Sequence, residues 1–110
     1  MSWPGGERAI VDPRKVRDYL LSDAHPVGRF RAALFLALGY SASGWAMLRD
    51  DLLFIARTGA AVRGHPSAYG QTWEVDGILP RLAGRSAAVR TVWMIKTGED
   101  VPRFITAHPR

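Results

Sequence analysis

Ala87-Ala88-Val89-Arg90-Thr91-Val92-Trp93-Met94-Ile95-Lys96 sets Ala87, Val89, Thr91, Trp93 and Ile95 against Ala88, Arg90, Val92, Met94 and Lys96. Residues two apart share one face of an extended chain, and β-branched and aromatic side chains favour that state. The stretch therefore reads as a strand. Upstream, Trp73, Val75, Gly77 and Leu79 alternate with Thr72, Glu74, Asp76 and Ile78, a second strand, and residues 80–85, containing Gly84, form the turn between the two. Downstream, Thr97-Gly98-Glu99-Asp100 has the composition of a hairpin turn, and residues 101–107 form a last strand. A shorter strand near residues 60–63 would raise the antiparallel meander from three strands to four.

Before Gly59 the period is helical. Asp12-Pro13 supplies an N-cap and a proline at the first helical position, and the helix runs to about Ser22 with Val16, Tyr19 and Leu20 inward. Ala24-His25-Pro26-Val27-Gly28 turns into a second helix ending at Gly39, a natural left-handed cap. Phe30, Leu34, Ala37 and Leu38 share a face of that helix, and Phe35 and Leu36 cover much of the rest, so it reads as buried and packed on one face of the sheet. A third helix, behind Ser43 and from about Gly44 to Arg57, presents Trp45, Leu48, Leu52 and Ile55 to the core. Three helices followed by a three- to four-stranded meander define an α+β domain over residues 12–109. Residues 1–11, broken by Pro4-Gly5-Gly6, read as a flexible lead-in.

One domain is what 110 residues support, and 47% hydrophobic residues suffice for one core. No cysteine is present, which excludes disulfide and thiolate chemistry and is compatible with a reducing cytoplasm, the expected compartment. The N-terminus lacks the basic and apolar regions of a signal peptide, and no run is long enough to span a membrane. Fifteen Lys and Arg against ten acids give a charge of +5 and a pI near 10.4, the balance expected of a polyanion binder. Lys15 and Lys96 are the only lysines, so the excess is arginine, the better bidentate partner for phosphate.

Phosphate loops, His-Glu-x-x-His and Gly-x-Ser-x-Gly motifs are all missing. His25, His65 and His108 are scattered, so no metal and no cofactor is expected. Asp50-Asp51 and Glu99-Asp100 read as solvated, and Glu74 with Asp76 as an exposed strand face. The remaining groups are Lys15, His25, Arg31, Tyr69, Arg90, Arg103, Thr106 and His108, a set that metal-free RNA cleavage can use. That reaction needs a base for the 2′-hydroxyl proton, an acid for the leaving oxygen, and cations for the phosphorane. His25 also precedes a helix N-terminus, where an anion is favoured.

Lys15-Val16…Tyr19-Leu20-Leu21-Ser22…His25-Pro26-Val27-Gly28-Arg29, Tyr69-Gly70, Val89-Arg90-Thr91-Val92-Trp93 and Glu99-Asp100-Val101-Pro102-Arg103-Phe104-Ile105-Thr106-Ala107 together resemble a small, uncharacterised bacterial family. The resemblance covers residues 13–109 and extends to the C-terminal tips of contact-dependent and other polymorphic toxins. More distantly it reaches the barnase, EndoU, colicin and RelE-like ribonucleases. It implies a metal-independent endoribonuclease or toxin-like RNA-binding domain, acting through a 2′,3′-cyclic phosphate. Here Arg31 stands where such sequences tend to carry lysine, and His108 where an aromatic or aliphatic residue is expected.

His25, Lys15 and Thr106 are the candidate catalytic residues, His25 as general base or acid. Arg31, Arg103, Arg90 and Tyr69 are the candidate substrate contacts. Arg103 and Thr106 fall on opposite faces of a regular strand, so only a bulge or edge position brings both into one site. The alternative is a non-catalytic module of a two-gene pair, whose basic face binds an acidic antitoxin or immunity protein. The oligomeric state is not encoded in any pattern found.

Overall fold

Thr91 and Trp93 lie at the centre of a four-stranded antiparallel sheet in the computed structural model, which describes residue 3 and residues 5–21, 29–80 and 86–110, with only the backbone of residues 29–31. The strands are β1 (Ala61–Ser67), β2 (Gly70–Leu79), β3 (Ala87–Lys96) and β4 (Pro102–Pro109), in spatial order β1-β2-β3-β4. The meander is therefore the four-stranded form. Trp73 pairs with Trp93, Val75 with Thr91, and Thr91 in turn with Ala107. One face thus collects Val75, Leu79, Val89, Thr91, Trp93, Phe104 and Ala107, all buried. Thr91 is tolerated there because its hydroxyl donates to the Val75 carbonyl at 2.7 Å and accepts from the Trp93 indole at 2.7 Å.

Between β3 and β4 the register slips: Val92 pairs with Thr106, but Trp93 pairs with Phe104. Ile105 is the extra residue of a bulge. Arg103, opposite Met94, and Thr106, opposite Val92, therefore share the outer face of the sheet. The condition that a regular strand could not meet is met by this bulge.

Helix α3 (Trp45–Thr58) covers the inner face. Leu48, Leu52 and Ile55 are buried as expected, joined by Ala56, whereas Trp45 is only half-buried, with the Arg49 guanidinium 5.1 Å from its ring. The helix lies close because Gly77 has no side chain: a Cβ there would stand 2.7 Å from Ile55 Cγ1.

Two expectations about the other helices change. The first begins as read, Asp12 accepting from the Arg14 amide at 2.9 Å, but α1 is only Pro13–Lys15 and continues as a π-helical stretch, Val16–Leu20. That wider winding closes with Leu21 N–H on the Val16 carbonyl at 2.9 Å, and both of those side chains are buried one π-turn apart. Helix α2 (Arg29–Ala37) turns Ala32, Phe35 and Leu38 inward, while Leu36 and Ala37 are exposed and Leu34 is half-buried. It packs against the π-helical stretch, and the sheet is covered by α3. An almost uniformly apolar nine-residue helix carries no directional pattern, so its sequence could not tell which stripe would face the core. Gly39 ends it with φ 102°, in the left-handed region where glycine belongs.

Trp3, Ala9 and Val11 belong to the core, although the first eleven residues read as a lead-in. The Trp3 indole lies 5.7 Å from Trp73 and 6.2 Å from Trp93 and donates to the Ala56 carbonyl at 2.8 Å. A 3₁₀ turn, Gly6–Arg8, follows. Among the described residues, no helix is long and apolar enough to cross a membrane.

Candidate nucleic-acid cleft at the β4 edge

The free edge of β4 is partly covered by the chain that precedes α1. Ile10 N–H donates to the Pro102 carbonyl at 2.9 Å, and Phe104 N–H donates to the Ile10 carbonyl at 3.0 Å, a short parallel bridge. Past the bridge the chain enters α1 through its N-cap Asp12, and α1 and β4 flank a gap. The gap is a cleft of about 530 Å³ with Ile10, Val11, Phe104 and Ile105 among its walls and Arg14, Lys15, Lys96 and Arg103 around it. An adjoining hollow of about 420 Å³ shares Asp12, Arg14 and Lys15 and reaches Asp18 and Tyr19.

The four cations differ in how they are held. Arg14 is clamped by Asp12 at 2.7 and 3.2 Å, and those hydrogen bonds keep the Asp12 carboxyl at about 2. Arg103 meets Glu99 at 3.2 and 3.4 Å. Lys15 and Lys96 have no ion-pair partner among the described residues. Lys15 Nζ lies 5.6 Å from the Tyr19 ring centroid, one turn along its own helix. The Tyr19 hydroxyl in turn lies 3.3 Å from Thr106 Oγ1. The Lys15 ammonium and the Arg103 guanidinium thus share the cleft, and Tyr19, in the adjoining hollow, connects Lys15 with Thr106 on the bulged strand. Such groups bind a phosphate and stabilise charge that builds on it.

Of the sequence candidates, Lys15 and Arg103 line the cleft, and Thr106 is reached through Tyr19 and lines neither hollow. Arg90 is on the same outer face but engaged elsewhere: Asp76 holds it at 2.8 and 3.1 Å, and Glu74 lies 3.6 Å away. The Asp76 carboxyl is correspondingly held below the usual carboxylate range, by Arg90 foremost and then by Arg110 and His108. Tyr69, at the β1–β2 turn, does not line the cleft, but its carbonyl accepts from Thr97 N–H at 2.9 Å, next to Lys96. His25 and the side chain of Arg31 lie outside the described residues. His108 pairs with Arg90 in the ladder, its Nδ1 3.2 Å from the Pro109 carbonyl.

Two site residues had been assigned no chemistry. Tyr19 read as core, although its place four residues after Lys15 was a legible signal that the two side chains would meet. Lys96 stands in the sequence reading as a strand residue and one of the two lysines, with no role at a site.

An outer-face cation cleft beside a four-stranded sheet, on an α+β frame, is the class of domain these features define. The chain belongs to the family described as DUF6883, a domain of unknown function, whose model matches residues 3–110. It is also similar to a chain of a contact-dependent growth inhibition toxin–immunity protein complex from Klebsiella pneumoniae 342, at 18% identity, a TM-score of 0.67 and 96% coverage of both chains. At that identity the likeness is one of fold. No curated protein matches the chain.

Proposed function

We propose that this domain is a toxin-type, metal-independent endoribonuclease that holds RNA in the β4-edge cleft. The observation that carries the proposal is that Lys15 and Arg103 line one cleft, with Tyr19 beside Lys15 and its hydroxyl against Thr106. The fold shared with a chain of a toxin–immunity complex supports a toxin or immunity-like role, and the cation-lined cleft favours the toxin. In this mechanism the ribose 2′-oxygen bonds to phosphorus as the bond to the 5′-oxygen breaks, leaving a 2′,3′-cyclic phosphate. A base takes the 2′-hydroxyl proton and an acid returns one to the departing oxygen, and His25 is the proposed carrier of one of these steps. Lys15 and Arg103 bind the non-bridging oxygens, and Thr106 donates a hydrogen bond to them. Arg31 is a further proposed phosphate contact.

Substrate must compete with Glu99 for Arg103, so binding should favour a polyanion, which engages several cations at once. Cellular RNA as the target places the action in the cytoplasm. An acidic immunity or antitoxin protein is the proposed partner, because Lys15 and Lys96, which meet no carboxylate among the described residues, would attract its carboxylates as well as a phosphate.

The test is incubation of the purified domain with total tRNA in excess EDTA, followed by end-group analysis. Fragments ending in 2′,3′-cyclic phosphate support the reading, with His25→Ala slowing their release by about 10²–10⁴-fold at an unchanged melting midpoint. Intact RNA, together with a His25→Ala variant that is clearly destabilised, would favour the non-catalytic interaction module.

A further inference from the structure

Tyr69 is 79% exposed, the most exposed large hydrophobic side chain among the described residues. It does not owe this to a loose loop. Its amide donates to Ser67 Oγ at 3.1 Å, its carbonyl accepts from Thr97 N–H at 2.9 Å, and the Thr97 hydroxyl donates to the Ala68 carbonyl at 3.4 Å. The next residue, Gly70, pairs with Lys96 and lies so close to β3 that a Cβ would run into the Ile95 carbonyl. The β1–β2 turn is therefore pressed onto the β3–β4 hairpin. A solvent-facing aromatic side chain on a backbone held in place thus stands one residue from the ladder partner of Lys96, and Lys96 lines the cleft with Arg103 and Lys15.

We infer that Tyr69 and Lys96 prolong the cleft into a track for single-stranded RNA, with Tyr69 stacking an unpaired base and Lys96 taking a phosphate on the way to Lys15 and Arg103. The inference rests on the reading that the cleft holds RNA, and it adds the strandedness of the substrate and the direction in which it leaves the site. An aromatic platform beside a row of cations suits a single strand, because each base offers a face while the backbone follows the charges. A duplex keeps its base faces stacked and offers Tyr69 nothing to cover.

The test uses a fluorescent 2′-O-methyl RNA oligonucleotide, which lacks the attacking hydroxyl and so reports binding without cleavage. Anisotropy titrations compare the single strand with the same strand annealed to its complement. The track predicts tighter binding of the single strand. Tyr69→Ala should weaken it about tenfold or more, and Tyr69→Trp should retain it. Lys96→Gln should lower the slope of log affinity against log salt by about one charge's worth. Equal affinity for duplex and single strand, or a Tyr69→Ala variant that binds like wild type, overturns the track. Should tRNA still be cleaved in that case, the ribonuclease reading stands alone. Should binding depend on Tyr69 while all RNA stays intact, the track stands and cleavage falls. Absence of binding at low salt removes both.

Discussion

Removing Trp3 should destabilise the whole domain, and two substitutions divide the effect. Trp3 is 4% exposed, lies against Trp73 and Trp93, and donates its indole N–H to the Ala56 carbonyl at 2.8 Å. That carbonyl belongs to the last turn of α3, where no later helical amide exists to donate to it. Gly6 allows the approach, since a Cβ there would stand 2.6 Å from the same oxygen. Trp3→Phe keeps most of the buried surface but orphans the carbonyl, at a cost of about 1–3 kcal/mol. Trp3→Ala also opens a cavity, for a total of about 3–5 kcal/mol. Against roughly 5–15 kcal/mol of stability in a domain of this kind, the second variant should be severely weakened. At about 4 °C per kcal/mol, thermal melts by circular dichroism should fall by about 4–12 °C and about 12–20 °C respectively. If both variants melt within a degree or two of wild type, the N-terminal segment does not belong to the core.

Two further outcomes follow from single contacts. Gly77→Ala would set a methyl group 2.7 Å from Ile55 Cγ1 and should cost about 1–3 kcal/mol in a denaturant titration, with partial rescue by Ile55→Val. Asp12 is held at about 2 against an ordinary 3.8, chiefly by its hydrogen bonds from Arg14. Because the folded value is the lower one, its capping contribution is complete above the ordinary value and is lost as pH falls through about 2. An NMR titration of the Asp12 carboxyl carbon should show that low midpoint, and a midpoint near the ordinary value would mean that the cap is not formed.

Much of the sheet was legible because β3 is written in strict alternation, and Trp73, Val75 and Gly77 repeat the pattern on β2. The bulge at Ile105 was not, since Phe104-Ile105-Thr106 contains no glycine and its bend arises from pairing with β3. Pro4-Gly5-Gly6 read as a break in the chain, but Gly6 serves close packing against Ala56, a relation visible only across fifty residues. The face of α2 was undetermined for a different reason, an apolar excess without direction. At the candidate site, residue types pointed to Lys15, Arg103 and Thr106, but the shared face of Arg103 and Thr106 depends on the bulge, and the cleft holding Lys15 and Arg103 on the Ile10 bridge, both tertiary. Arg90 had the right chemistry on the right face, yet Asp76 is its cross-strand neighbour and claims it.

Cleavage of tRNA in EDTA by three folded variants addresses the cleft itself. Lys15→Ala removes the ammonium beside Tyr19, Thr106→Val removes the hydroxyl 3.3 Å from the Tyr19 oxygen, and Phe54→Ala alters an exposed side chain on α3. Loss of a preorganised charge-stabilising donor lowers rates by about 10²–10³-fold. The account predicts losses of that order for the first two, with cyclic-phosphate ends on the residual product, and a wild-type rate for Phe54→Ala. Cleavage that proceeds equally in all three would place the chemistry elsewhere and contradict the cleft as the site.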